Sequence, residues 1–329
     1  MATILKPTEG NLLLCKEHLS NSNLVAVPTE TVYGLAANAL DEAGVLEIFK
    51  IKGRPLIDPL IVHVKSLEQA ESYCHMNLLA KALSGKFWPG PLTLVLPKKN
   101  IIPSVVTANL ESVAIRCPAN PVLKKLLESL PFPLAAPSAN PFGYISPTKA
   151  SHVAESLGDK INLILDDCDS EIGIESTILD LRDPNKPAIL RPGPISKKTI
   201  EAEFNLKLSA PENKVLENSA LSPGLLKSHY SPIKPLELRK LKEIEAMLKK
   251  DSLRESAIIL NKRPMELSIT MRNIYWLSED GDLKEIAKNL YTLLRTIDKT
   301  EYSRIIVEAI KSEGLGIALM DRLTRASEQ

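Results

Sequence analysis

The stretch LVAVPTETVYGLAANALDEAGVLEIFKIKGRPLIDPLIVHV, residues 24–64, decides the fold. It opens on a short apolar run, Leu24 to Val27, with the length and composition of a buried strand, and that run stops at Pro28. Asp41 to Lys50 then reads as a helix: Asp41 can cap its amino end, and Val45, Ile48 and Phe49 recur on one helical face. LIVHV, Leu60 to Val64, is a second strand. Strand, helix and strand in that order make the repeating unit of α/β folds.

The pattern continues downstream. A helix is expected from about Met76 to Lys86, burying Leu79 and Leu83, and LTLVL (Leu92 to Leu96) is a strand. VAIR (Val113 to Arg116) alternates apolar residues and ends on a charge. Asn120 and Pro121 make a cap followed by a proline whose missing N–H costs nothing there. Ser146 and Pro147 repeat that signature ahead of a helix burying Val153 and Leu157, and Ile161 to Asp166 is a further strand. Periodicity fades after Glu201. The expected division is 1–205, a linker over 206–235 and a smaller α/β domain over 236–329. In that last part a helix is expected from Leu236 to Lys250, strands at Ala257 to Leu260, Ile274 to Leu277 and Arg304 to Ala309, and helices at Leu283 to Ile297 and Gly316 to Ala326.

A chain of 329 residues suits two domains, and a hydrophobic fraction of 44% supplies a sizeable core. Lys plus Arg number 41 against 40 Asp plus Glu, a net charge of +1. That balance argues against a long polyanion as partner and leaves room for a local basic pocket holding a small phosphorylated ligand. The cysteines, Cys15, Cys74, Cys117 and Cys168, lack both metal-ligand spacing and a disulfide framework. No apolar run approaches the ~18 residues of a membrane span, so a cytoplasmic protein is expected.

Several polar residues stand where chemistry could sit. Lys52 and Arg54, two apart, point the same way in extended backbone and suit phosphate, though a solvated loop is the plainer reading. Thr29, Thr31 and Tyr33 alternate hydroxyls just past a strand, where open α/β sheets bind ligands; a polar turn into a short helix is the plainer reading. Ser138 and Asn140 are again two apart, and Ser146 either caps a helix or joins them. His63 lies within a strand, and Arg116 and Arg191 each end an apolar run. Glycine-rich phosphate loops of the familiar kinds are absent, so a bound nucleotide would rely on side chains such as Lys52, Arg54 and Arg191.

In this order, PTETVYGLAANA, KGRPLIDPLIVHV, FWPGPLTLVL, VAIRCPANP, PLAAPSANPFGYISPT, GIESTILDL and ILRPGPIS resemble the threonylcarbamoyl-AMP synthase family. SPGLLKSHYSP (222–232) and GLGIALMDRLTRAS (314–327) extend the likeness to its two-domain form. The resemblance implies a twisted YrdC-like α/β domain with a large open cavity, plus a smaller Rossmann-like α/β domain. It implies that L-threonine, bicarbonate and ATP, with Mg²⁺, give L-threonylcarbamoyladenylate and pyrophosphate. A partner enzyme would then move the threonylcarbamoyl group to tRNA. On this likeness Thr31, His63, Arg116, Ser176 and Thr177 surround threonine. Lys52 and Arg54 are catalytic and, with Asp58, Thr107, Ser138, Asn140, Ser146, Arg191, His229 and Tyr230, contact ATP. Asp58 departs from the family's asparagine, and a carboxylate beside triphosphate must be paired or help hold Mg²⁺. A monomer or weak oligomer is expected, and the metal's ligands are not legible. The rival reading, RNA held in the same basic cavity, asks for exposed aromatics, and aromatic residues are only 4%.

Overall fold

A computed structural model describes residues 1–209, 215–216, 219–220, 223, 230–248, 253, 255–264 and 273–328. The chain divides into two units. The first holds Met1–Phe142, Ser146–Glu171 and Glu175–Leu226; the second holds Gly143–Ile145, Ile172–Ile174 and Lys227–Gln329.

The first unit runs β1 (Thr3–Leu5), α1 (Glu9–Ser20), β2 (Val25–Val27), β3 (Gly34–Asn38), α2 (Glu42–Lys52), β4 (Ile61–His63), α3 (Leu67–Glu71), α4 (Leu78–Phe87), β5 (Leu92–Pro97) and β6 (Ser112–Arg116). It continues through α5 (Pro121–Ser129), β7 (Leu134–Ala135), α6 (Ala150–Leu157), β8 (Leu163–Leu165), β9 (Thr177–Asp180), β10 (Ala188–Arg191), α7 (Lys197–Phe204) and the hairpin of β11 (Val215–Leu216) and β12 (Ser219–Ala220). Ten strands form one mixed sheet in the order β1-β8-β2-β3-β7-β4-β6-β5-β9-β10.

Local chemistry sets the element ends. The Asp41 carboxylate accepts from Ala43 and Gly44 N–H, capping α2 as expected. Gly53, at φ 63°, ends that helix in the left-handed conformation glycine adopts without strain, and so turns the chain between Lys52 and Arg54. Asn120 caps α5, with Pro121 in its first turn. Ser146 does not cap a helix: α6 starts at Ala150, and the Ser146 hydroxyl goes to Glu175 instead. Nor is Gly34–Asn38 a short helix. Its small buried side chains fit between β2 and β7, and sheet pairing on both sides overrides the helical preference of its alanines.

In the second unit, β13 (Leu236–Arg239), α8 (Leu241–Leu248), β14 (Ser256–Lys262), β15 (Ile274–Ser278), α9 (Leu283–Asp298), β16 (Arg304–Glu308) and α10 (Leu315–Ser327) build an all-parallel sheet in the order β13-β16-β14-β15. The single helix expected from Leu236 is a strand followed by a helix. Leu236 and Leu238 alternate with polar residues, and pairing with β16 selects that period over the helical one. Lys250, its expected end, lies outside the described residues. No helix among the described residues is long and apolar enough to cross a membrane.

Candidate active site

Strand register brings the polar residues together. His63 on β4 pairs with Arg116 on β6, Leu94 on β5 with Ile115, Thr93 on β5 with Ile178 on β9, and Ile178 with Arg191 on β10. His63 and Arg116 are last in their strands, Thr177 is first in β9, and Arg191 is last in β10. With these directions, all four lie at one end of the sheet.

Alternation then decides which side chains share a face. Val62, Leu94, Ile115 and Leu179 turn to the main core. Ile61, Val95, Ala114, Ile178 and Leu190 form a separate small apolar cluster on the opposite face. His63, Arg116 and Thr93 share the parity of that second set, so it floors the polar row. Thr177 has the parity of Leu179; its hydroxyl donates to Ile195 O at 2.8 Å and accepts from Ile195 N at 3.0 Å. Ser176, one residue earlier, faces the row: its hydroxyl lies 2.8 Å from that of Thr93 and accepts from Arg191 Nη2 at 3.2 Å. Arg191 Nε also donates to Ser176 O. Gly193 permits this contact, because a Cβ there would stand 2.4 Å from Thr177 N.

Around Arg116 the donors are closely matched. Nε donates to Gly90 O at 3.2 Å, Nη1 to the Thr31 hydroxyl at 3.0 Å and Nη2 to Glu30 Oε1 at 2.6 Å. Thr31 is in turn 2.8 Å from the Thr29 hydroxyl. His63 is buried; burial first, and the charge of Arg116 second, lower its imidazole to about 3, so it is neutral at physiological pH.

Lys52, Arg54 and Asp58 form a second group on the approach to β4. Lys52 Nζ donates to Ser138 O at 2.6 Å and to Asn140 O at 2.5 Å, so the Lys-x-Arg and Ser-x-Asn elements meet through backbone carbonyls. Burial, then Arg54, push the Lys52 ammonium well below its usual range, with Asp58 opposing. Arg54 donates to Asp58 O and Pro59 O, and its Nη2 lies 2.9 Å from Asp58 Oδ2. Asp58 is therefore paired, which removes the conflict its negative charge posed. Burial raises its carboxyl, while Arg54, Lys52 and Arg191 pull it back.

Other expected residues stand more apart. The Thr107 hydroxyl donates to Leu110 O, closing a local turn, and Ser146 donates to Glu175 Oε1 at 2.6 Å. Tyr230 belongs to the second unit, where it is buried against Tyr291, stacked at 6.0 Å, with the Arg322 guanidinium 5.2 Å from its ring centroid. His229 lies outside the described residues. Sequence reasoning missed Glu30 as the partner of Arg116; its one signal was a carboxylate set between two threonines at a strand end.

The family model for Sua5, YciO and YrdC, described as "Telomere recombination", matches residues 17–193, and "Threonylcarbamoyl-AMP synthase, C-terminal domain" matches residues 195–328. The chain belongs to the threonylcarbamoyl-AMP synthase family. It is 39% identical to the threonylcarbamoyl-AMP synthase of Pyrococcus abyssi, over 97% of this chain and 94% of that one. Its identity to the Bacillus subtilis threonylcarbamoyl-AMP synthase is 37%, over 94% and 90%. Among solved structures, P. abyssi Sua5 complexed with L-threonine matches at 37% identity with a TM-score of 0.90, covering 99% of this chain and 98% of that one. A variant of the same protein with an adjacent His and Tyr changed to Ala matches at 37% identity with a TM-score of 0.89, over 99% and 96%. Both the YrdC-like and the carboxyl-terminal parts of the family are thus present.

Proposed function

We propose that this chain is a threonylcarbamoyl-AMP synthase, converting L-threonine, bicarbonate and ATP to L-threonylcarbamoyladenylate and pyrophosphate. The observation that carries the reading is the pair of buried cation groups on one family-matched fold: Arg116 beside Thr31 and neutral His63, and Lys52 with Arg54 and Arg191 about Asp58. The first group suits a small amino acid with a carboxylate. The second suits a polyphosphate.

Arg116, Thr31, His63 and Ser176 take threonine, and Thr177 supports that wall through Ile195. The threonine amine, once neutral, attacks the bicarbonate carbon, and loss of water leaves a carbamate. A carbamate oxygen attacks the α-phosphorus of ATP and pyrophosphate leaves. Lys52, Arg54 and Arg191 stabilise charge on the phosphoryl oxygens, with Ser138, Asn140, Thr107 and Ser146 positioning the nucleotide.

Among the described residues no group of three His, Cys, Asp or Glu could hold a metal ion. Asp58 Oδ2 is paired with Arg54 Nη2 at 2.9 Å, while its buried Oδ1 meets no hydrogen-bond partner among the described residues, and Mg²⁺ commonly binds one or two carboxylates plus substrate phosphates. These residues fit an ion that arrives with the nucleotide. Asp58 would hold it, and it would supply charge neutralisation for pyrophosphate. Residues 1–205 carry the chemistry, 206–235 the linker and 236–329 the smaller domain. The protein acts in the cytoplasm as a monomer or weak oligomer and passes its product to a tRNA threonylcarbamoyl transferase.

The test mixes the protein with ATP, Mg²⁺, bicarbonate and L-threonine, and follows pyrophosphate release with the mass of the nucleotide product. Release that depends on threonine and bicarbonate, with a threonylcarbamoyl adenylate formed, is expected. Release without threonine, or none at all, would overturn the reading.

A further inference from the structure

Glu30 is a buried carboxylate of the site that the roles above leave unused. It is only 6% exposed. Its Oε1 accepts from Arg116 Nη2 at 2.6 Å. Its Oε2 is equally buried and meets no hydrogen-bond partner among the described residues. An interior carboxylate with one oxygen unsatisfied is costly, and such an atom points to a ligand that completes it.

Arg116 is in the complementary condition. Its described bonds use the Nε–H and one N–H on each Nη, to Gly90, Thr31 and Glu30. Each Nη carries a second N–H that has no partner among the described residues. Side by side, the site offers a carboxylate oxygen wanting a donor and a guanidinium fork wanting acceptors. His63, the cross-strand neighbour of Arg116, is neutral and adds no second positive charge beside Glu30 and Arg116.

An α-amino acid zwitterion carries an ammonium and a carboxylate on one carbon and matches both halves. We propose that Glu30 receives the ammonium of the amino-acid substrate through Oε2, while its Oε1 holds Arg116 for the substrate carboxylate. Glu30 thereby selects an amino acid over a 2-hydroxy acid of the same shape. This assignment rests on the amino-acid-activating reading above and adds a specificity-determining residue to it.

Calorimetry on the full chain tests it with two probes: L-threonine and the matching 2,3-dihydroxybutyrate, in which a hydroxyl replaces the ammonium. Wild type should prefer threonine strongly. Glu30→Gln should weaken threonine binding by about 30-fold or more and change dihydroxybutyrate affinity by about 3-fold or less, erasing the preference. ATP affinity, which depends on the other cation group, serves as the check that the variant is folded. Should Glu30→Gln not bind ATP, Glu30→Asp decides: preference for threonine retained supports the assignment, preference lost overturns it. Equal losses for both probes in Glu30→Gln would reduce Glu30 to a prop for Arg116 and overturn it. Wild-type protein that binds no threonine overturns the functional reading as well; wild type and Glu30→Gln that bind threonine equally overturn this assignment alone.

Discussion

Lys52 Nζ lies 2.6 Å from the carbonyl oxygen of Ser138, a bond between two elements 86 positions apart that fastens the end of α2 to the Ser-x-Asn loop. The ammonium is buried, and its proton affinity is lowered by that burial and by Arg54. A bound triphosphate brings negative charge, which raises it again. ATP binding should therefore take up a proton in the window between the depressed value and the ordinary one of 10.5, and ATP affinity should fall as pH rises through that window. Calorimetry in two buffers of different ionisation heat reads the uptake. It should vanish in Lys52→Met; uptake that persists there would assign the proton to another group.

His63 makes an acid-side prediction from the same cause, burial beside an arginine. Its folded value of about 3 lies below the ordinary imidazole value of 6.5. Between those values the unfolded chain binds a proton that the folded chain does not, so stability rises with pH across the window and is lost as pH falls through it. The slope from this one group is at most about 1.4 kcal/mol per pH unit. Urea unfolding of wild type and His63→Gln at pH 7 and pH 5 should show a smaller loss in the variant. Equal losses would mean that His63 is not held neutral.

Much of this was legible because the residues announce their period. LTLVL and AIIL read as strands from β-branched and leucine runs, and Asp41 and Asn120 read as caps from one side chain each. Gly34–Asn38 was not legible, since glycine and alanine carry no strand signal and only its neighbours β2 and β7 make it one. Leu236–Arg239 satisfied two periods at once. At the site, Lys52 with Arg54 and Ser138 with Asn140 were visible as residue types. Their actual joint runs through backbone carbonyls, which residue identity does not encode. Glu30 escaped because its meaning lies in Arg116, 86 positions away.

Gly193 predicts a backbone clash. An added methyl would stand 2.4 Å from Thr177 N and 2.7 Å from Ser176 C, both backbone atoms that cannot swing aside. Gly193→Ala should force ILRPGPIS away from GIESTILDL, break the Arg191 bonds to Ser176 and cost about 2–4 kcal/mol. Urea unfolding gives the loss, and pyrophosphate release should fall with it. A variant of wild-type stability would mean that the two segments can part without penalty.

Asp298 is the polar node of the second unit. Its Oδ2 accepts from the Tyr144 hydroxyl at 2.9 Å and from Ile233 N at 3.1 Å, and its Oδ1 from Lys234 N at 3.0 Å. Arg295 lies over the Tyr144 ring at 4.9 Å, which holds the phenol in line with the carboxylate. Asp298→Asn keeps the shape but turns one acceptor into a donor facing other donors, so it should cost about 2–3 kcal/mol. Tyr144→Phe removes one donor and should cost about 1 kcal/mol. Because the two share a bond, the double variant should lose less than the sum of the two singles. Urea unfolding of the four proteins measures that coupling. Strict additivity would show that Tyr144 and Asp298 contribute independently, and that the node is held by the Ile233 and Lys234 backbone alone.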